Sequence, residues 1–281
     1  MVDKDSIVNY IKSISSFNES EGTYSNISFF IMTLIIFYIL VKLMASIVNL
    51  VKQPSSNVII LPGMINSKHT MHITQNPNIK SSLPIIRSKN EDDGLEFTWS
   101  VWININDLTY KENEYKNIFH KGELNISTKP HTFGLNTPLN GPGLYIGPVK
   151  NQLVVIMNTF ENLNEEIIIN DIPLNKWINV IITVYEQKKL DVYINGNLTR
   201  RHILSSLPKQ NYGDVYISAN GGFSGYTSKL EYWAKTLSIN NIQSIVYSGP
   251  NLKAINNNND LYNVPKYLSI RWFFDDDYNL N

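Results

Sequence analysis

The segment PLNKWINVIITVYEQKKLDVYINGN, Pro173–Asn197, restricts the fold of this chain more than any other stretch. Trp177 opens a run in which Val180, Ile182 and Val184 alternate with other residues. After a polar break at Glu186–Lys189, Leu190, Val192 and Ile194 alternate again, and Asn195-Gly196 closes the run. Period-two alternation marks a strand with one buried face. Asn-Gly accepts positive φ at both central positions of a tight turn, so it predicts a two-residue hairpin. Trp177 and Trp99 are expected in the core. Gly196 is expected to resist a β-branched replacement, because such residues avoid positive φ.

Similar runs recur along the chain. In Leu95–Ile105, Phe97, Trp99, Val101, Ile103 and Ile105 fall on one face. Thr98, Ser100, Trp102, Asn104 and Asn106 fall on the other, the pattern of a half-buried strand. Further strand-like runs are Val58–Leu61, Asn117–Lys121, Gly143–Gly147, Leu153–Thr159, Ile167–Ile169, Asp214–Ser218, Lys229–Ala234 and Tyr267–Phe274. Only Ser238–Tyr247 reads as helix, with Ser238 as N-cap. Short strands separated by turns predict an all-β, two-sheet sandwich.

Ile27–Val51, ISFFIMTLIIFYILVKLMASIVNLV, is different. Its residues are uncharged up to Lys42 and apolar on every side, and about 20 such residues cross a hydrocarbon core. Ile27, Phe29, Phe30, Leu34, Ile35, Phe37 and Leu40 would face lipid, while Lys42 snorkels toward the headgroups. The run is too long and starts too late for a signal peptide, and acidic Glu19 and Glu21 precede it. One uncleaved transmembrane helix is therefore expected. Lys42 and Lys52 on its C-terminal side favour a cytosolic large domain. Sequons at Asn125 and Asn197 would matter only if that domain were lumenal. The expected organisation is a polar segment at 1–26, amphipathic or frayed, then the helix at 27–51. A linker and first strand at 52–66, the sandwich at 67–274 and an acidic tail at 275–281 complete it.

With Lys+Arg 24 and Asp+Glu 24, the net charge is zero, which gives no bulk attraction to nucleic acid. The chain has no cysteine, which excludes disulfides, zinc–thiolate sites and a Cys nucleophile. Asn and Ile are frequent, as in the run Asn256–Asn259, a pattern of AT-rich coding.

EFTWSVWI, NIFHKG, the segment from Trp177 to YING, and GGFSGYTSKLEYWAKTLSINNIQSIV occur in an order that resembles the laminin-G-like, concanavalin-A-like sandwich family. The resemblance covers roughly Leu95 to Val246 and marks Trp99, Trp177, Tyr193, Asn195, Gly196 and Gly225 as fold-defining. LPKQNYGDVY, NGGFSGY and SGPN further resemble membrane-anchored laminin-G-like proteins of nucleocytoplasmic large DNA viruses.

The residues carry little catalytic chemistry. Glucanases on this scaffold place carboxylates at alternate strand positions, and retaining hydrolysis needs two carboxyls about 5–5.5 Å apart. Glu91-Asp92-Asp93 is contiguous, so neighbouring carboxylates point to opposite faces. His69 and His72 form H-x-x-H, but the flanking residues look like strand and no acidic residue completes a metal site. His120, His131 and His202 are scattered. Many laminin-G-like domains hold Ca²⁺ at a sheet rim, and Asp107, Asp171 and Asp275-Asp276-Asp277 are the candidates here, matching no family motif. GPGLYIG at Gly141–Gly147 lacks the Lys-Ser/Thr of a phosphate loop. Trp102, Tyr110, Tyr115 and Tyr145 could stack on sugars, and Arg200-Arg201-His202 could meet lipid headgroups or an acidic protein face.

The resemblance implies a non-enzymatic protein with no cofactor. It would be a minor capsid protein joining the internal lipid membrane of a virion to other capsid proteins above it. The alternative is a lectin-like surface module binding host glycan or receptor. The long polar loops Asp107–Lys116 and Leu124–Pro142 are the expected contact surfaces, with Asp107, Lys111, Lys116 and Lys129 in reach of a partner.

Overall fold

The computed structural model describes residues 23–52, 57–79, 82–88, 90–91 and 94–255, together with positions 5, 8, 9 and 12. The strand expected at Tyr267–Phe274, the Pro54–Ser56 linker and the acidic tail lie outside these residues. Two compact units result, Met1–Gln53 with Leu268–Asn281, and Pro54–Tyr267.

In the first unit, helix α1 spans Thr23–Lys52. Asn26–Val48, 23 residues, is long and apolar enough to cross a membrane, and none of it is buried. At about 1.5 Å per residue that stretch extends roughly 35 Å. Ile27, Phe30, Leu34, Ile35, Phe37 and Leu40 are exposed on all sides of the helix, and Phe29 is nearly so. The hydroxyl of Thr33 donates back to the carbonyls of Phe29 and Phe30 at 3.1 and 2.8 Å, so it needs no water. The Lys42 amine lies 5.7 Å from the centre of the Tyr38 ring.

The second unit is a β-sandwich. Its strands in chain order are β1 (Asn57–Asn66), β2 (Met71–Ile73), β3 (Asn90–Glu91), β4 (Gly94–Leu95), β5 (Phe97–Asp107), β6 (Lys116–Lys121) and β7 (Gly143–Ile146). They continue with β8 (Gln152–Met157), β9 (Glu165–Asn170), β10 (Trp177–Tyr185), β11 (Lys189–Ile194), β12 (Asn197–Ile203), β13 (Val215–Ile217) and β14 (Ser224–Trp233). One six-stranded sheet runs β1-β14-β5-β10-β11-β12 and the other β2-β13-β6-β7-β8-β9. All their ladders are antiparallel, and β3 and β4 form a separate small pair. Helix α2 (Ile239–Ser248) follows, capped by Ser238, whose hydroxyl accepts from the Asn241 amide at 3.4 Å.

The core lies between the sheets. Trp99 stacks on Phe119 of the facing sheet with ring centres 5.2 Å apart, and meets Tyr232 of its own sheet in a tilted contact at 5.0 Å. Such pairs add about 0.5–1.5 kcal/mol beyond simple burial. Phe97, Val101, Ile103 and Ile105 line the same face, but the opposite face of β5 is also covered, contrary to the half-buried expectation. Thr98 and Ser100 are fully buried there, and the Thr98 hydroxyl donates to Lys235 O at 3.0 Å. Leu237 and Ile242 of the α2 region pack on Ile181 across that face.

Trp177 is only half-buried, which corrects its expected place in the core. The core side of β10 is Ile178, Val180, Ile182 and Val184. Trp177 differs in parity, so its ring points to the outer face at the strand's first position. The β12 strand carried no alternation because nearly all its side chains are exposed. It is a sheet edge held by Asp191, a fully buried carboxylate that takes both Nε and Nη2 of Arg201 at 2.8 Å.

Asn195 and Gly196 form the turn between β11 and β12, with φ of 49° and 77°. Asn195 also ties the turn to β10, since its Oδ1 accepts from the Asn179 amide at 2.8 Å. Gly225 is under tighter constraint. Its φ is 155°, and a Cβ there would come within 1.9 Å of the Asn104 carbonyl oxygen. That contact is backbone on backbone in the middle of the sheet, so it cannot relax by a rotamer change. Thermal unfolding of the full chain should show Gly196→Val losing about 1–2 kcal/mol, and Gly225→Ala losing more. Equal melting temperatures for Gly225→Ala and wild type would contradict the sheet register.

Candidate functional site

The long 122–142 segment does not hang free. It folds over the outer face of the second sheet, where Leu135 packs with Tyr145, Val154 and Ile156. Buried amides hold it there. Asn140 Oδ1 accepts from the Tyr145 hydroxyl at 2.6 Å, and Asn140 Nδ2 donates to Asn136 O at 2.6 Å. Asn136 Oδ1 accepts from the Asn125 amide at 2.7 Å, and Asn158 Nδ2 donates to Pro138 O at 2.8 Å and to Leu163 O. The frequent asparagines thus supply donors and acceptors that a buried loop needs.

Several expected contact residues are internally engaged. The Asp107 carboxylate accepts from the Thr109 amide and hydroxyl at 2.8–2.9 Å, which holds its pKa below the ordinary value. Lys111 donates to Asn220 O and lies 3.7 Å from Glu114. Lys116 is 2 % exposed, which corrects its place among the contact residues. It starts β6 rather than ending a loop, and burial pulls its amine pKa down. Lys129 is exposed, ahead of a short 3₁₀ turn at Pro130–Thr132.

His72 does meet a carboxylate, unlike the sequence expectation. Its Nε2 lies 2.6 Å from Asp214 Oδ2, and its ring stacks on Tyr216, which stacks in turn on His120. His120 is fully buried, with a pKa pushed down to about 3 by desolvation. Among the described residues no three His, Asp or Glu side chains gather as a metal site. Asp171 sits in a positive-φ turn, and Asp275-Asp276-Asp277 lies outside the described residues. Of the proposed sugar-stacking rings, Trp102 and Tyr145 are buried and Tyr110 and Tyr115 half-buried. Tyr193 packs under α2 and Arg200 is exposed on the β12 edge.

The open surface lies elsewhere, in two adjoining hollows of about 340 and 710 Å³ that share Arg87, Gln210 and Asn211. Both volumes fall within the roughly 300–1,000 Å³ typical of ligand sites. The smaller is floored by Phe97, Trp99 and Tyr232. Its rim is fixed by side chain–backbone bonds. Gln75 accepts from the Ile85 amide at 2.8 Å and donates to Leu83 O at 3.0 Å. Asn211 Nδ2 donates to Lys121 O at 3.0 Å, and Lys121 Nζ donates to Gly213 O at 2.6 Å. Burial pulls the Lys121 pKa down to about 8 against the opposing pull of Asp214. Tyr212 stands 80 % exposed at the mouth, its hydroxyl accepting from Arg87 Nη1 at 3.3 Å. The larger hollow is lined by Leu95, Leu139, Leu163, Leu207 and Phe160, with the Lys209 amine 5.0 Å over the Phe160 ring. None of Arg87, Phe160, Lys209, Gln210 or Tyr212 stood out in sequence. The one available signal was a polar, aromatic string, LPKQNY, between strands.

The sole carboxylate lining either hollow, among the described residues, is Asp214, and it is held by His72 and by the Gln75 amide at 2.8 Å. Two further buried carboxylates are structural. Asp191 serves Arg201 as above. Glu165 of β9 joins the edges of the two sheets: its carboxylate takes His202 Nε2 of β12 at 2.8 Å and the Ser205 hydroxyl at 2.7 Å. It also accepts from the Ser205 amide at 2.8 and 3.1 Å. Ser205 and His202 both bind the carboxylate, not each other, so no nucleophile–base relay forms.

The sequence profile of the concanavalin A-like lectin/glucanases superfamily matches residues 83–243. Comparison with curated proteins gave no match. Among solved structures, the receptor binding domain of botulinum neurotoxin D matches at 17% identity and TM-score 0.45, over 67% of this chain and 43% of that one. The botulinum neurotoxin serotype D ligand binding domain in complex with N-acetylneuraminic acid matches at 16% and 0.46, over 65% and 40%. The botulinum neurotoxin serotype G binding domain matches at 14% and 0.44, over 66% and 46%. The chain spans less than half the length of each of these structures.

Two outcomes follow from the carboxylates. Burial works to raise the Glu165 pKa, but hydrogen bonds from Ser205 and His202 outweigh it and leave it below the ordinary value. A carboxylate with a depressed folded pKa stabilises fully above its unfolded pKa and loses that contribution as pH falls through the folded one. Denaturant titrations from pH 7 downward should therefore show wild type losing stability in acid and Glu165→Gln losing less. The protein should release no reducing sugar from β-glucans, because among the described residues no facing carboxylate pair lines the cleft; turnover abolished by one carboxylate substitution would refute this.

Proposed function

Because the chain belongs to the concanavalin A-like lectin/glucanases superfamily, we propose that it is a non-enzymatic tether between a lipid membrane and a protein shell. Helix α1 would sit in the internal membrane of a large DNA virus as a single pass. The sandwich would bind capsid proteins on the shell-facing side. One observation carries this reading: α1 is apolar and exposed around its whole circumference. An apolar surface of that kind needs lipid. The strings that resemble viral membrane-anchored proteins supply the setting. The Lys42 and Lys52 flank supports a cytosolic, and hence shell-facing, sandwich.

A lectin-like role binding host glycan or receptor is the second reading. It is favoured by Tyr212 and Phe160, exposed aromatic rings at the mouths of the two hollows.

Crosslinking mass spectrometry on purified particles separates the two. Crosslinks from Lys111 or Lys129 to capsid proteins are expected, together with protection of the sandwich from added protease until the shell is opened. A sandwich cleaved in intact particles would place it outside the shell and overturn the tether in favour of attachment.

A further inference from the structure

Among the described residues, the larger hollow combines an apolar lining with two cations and no acid. Leu95, Leu139, Leu163, Leu207 and Phe160 supply the lining, and Arg87 and Lys209 supply the charge. Among the described residues, no carboxylate pairs with either cation: Arg87 reaches Tyr212 and Lys209 lies over Phe160. On the wall shared by the two hollows, Gln210 Nε2 is buried and has no acceptor within reach. A buried donor without an acceptor costs about 1–3 kcal/mol, and a rotation of the Gln210 side chain into the hollow would let an incoming oxygen recover it. Gln75 and Asn211 tie walls of the smaller hollow to the backbone, so that part of the cleft is held open in the unbound chain.

From this arrangement we infer that the double hollow binds an extended acidic peptide segment of a partner protein. One carboxylate would sit at Arg87, Lys209 and Gln210, and flanking apolar side chains would fill the leucine-lined hollow and the aromatic-floored one. Guanidinium and ammonium groups at a partly dry site select carboxylates strongly. Aliphatic leucine walls leave sugar hydroxyls without partners, which favours a peptide over an acidic sugar. The identification of the partner as a shell protein rests on the tethering role; the cleft and its chemistry do not.

Fluorescence anisotropy on the full-length protein in detergent micelles tests this. The probes are fluorescein-labelled Leu-Glu-Phe-Asp-Leu and its basic counterpart Leu-Lys-Phe-Lys-Leu, with free glucuronic acid as competitor. Saturable binding of the acidic peptide is expected, with binding of the basic one at least about tenfold weaker. The double variant Arg87→Glu, Lys209→Glu should lose about tenfold or more with an unchanged melting temperature. If that variant unfolds, Arg87→Gln alone, at an exposed position, should still weaken the acidic peptide and flatten its salt dependence. Equal binding of the two peptides, no binding of either, or binding unaffected by these variants would overturn the proposal. Displacement of the peptide by millimolar glucuronic acid would also overturn it and point to an acidic sugar. Capsid crosslinks in particles without peptide binding would sink the cleft and leave the tether. Peptide binding by a sandwich found outside the shell would sink the tether and leave the cleft.

Discussion

The indole of Trp99 stands where the two sheets meet, stacked on Phe119 across the gap and tilted against Tyr232 beside it. Around it the sheets close one continuous apolar core, from Val58 on one edge strand to Ile169 on another. Loss of a buried Trp typically costs about 3–5 kcal/mol, a large share of a net stability of about 5–15. The same ring floors the smaller hollow together with Phe97 and Tyr232. Core and cleft are therefore one construction. The packing that holds the sheets together also sets the depth and rigidity of the binding surface.

Buried polarity is organised to serve that rigidity. Glu165 ties edge strand to edge strand, Asp191 holds β12, and the asparagines 136, 140 and 158 fix a long covering loop. Each group is hydrogen-bonded to several partners, and breaking one would strand the others in a dry environment. A carboxylate held by three or more donors is poorly placed to act as a nucleophile or general base. The polar interior thus suits a scaffold that presents loops to a partner.

The sequence revealed most where one physical signal dominated. Uniform apolarity marked α1, the positive-φ tolerance of Asn195-Gly196 marked the turn, alternation marked β5 and the core side of β10, and an apolar run marked β8. It misled where two signals overlapped. Trp177 is large and aromatic, which suggests a core, but its parity sends it outward. Lys116 is charged, which suggests a loop, but strand β6 begins with it. The covering loop at 122–142 looked polar because it carries its own hydrogen-bond partners inside. The cleft was least legible. Arg87, Phe160 and the Lys209–Tyr212 string come from three separate segments, so only the folded chain brings them together.

Edge strand β1 bonds along its length to β14, and near its end it is also gripped from the other side. There the Met64 amide donates to Lys253 O and the Ile255 amide to Met64 O, both at 2.8 Å. From Val58 to Leu61 the strand has a single partner strand in its sheet. Fraying of the sandwich from this edge would therefore meet its firmest resistance at Met64, where two backbone bonds outside the ladder hold the strand.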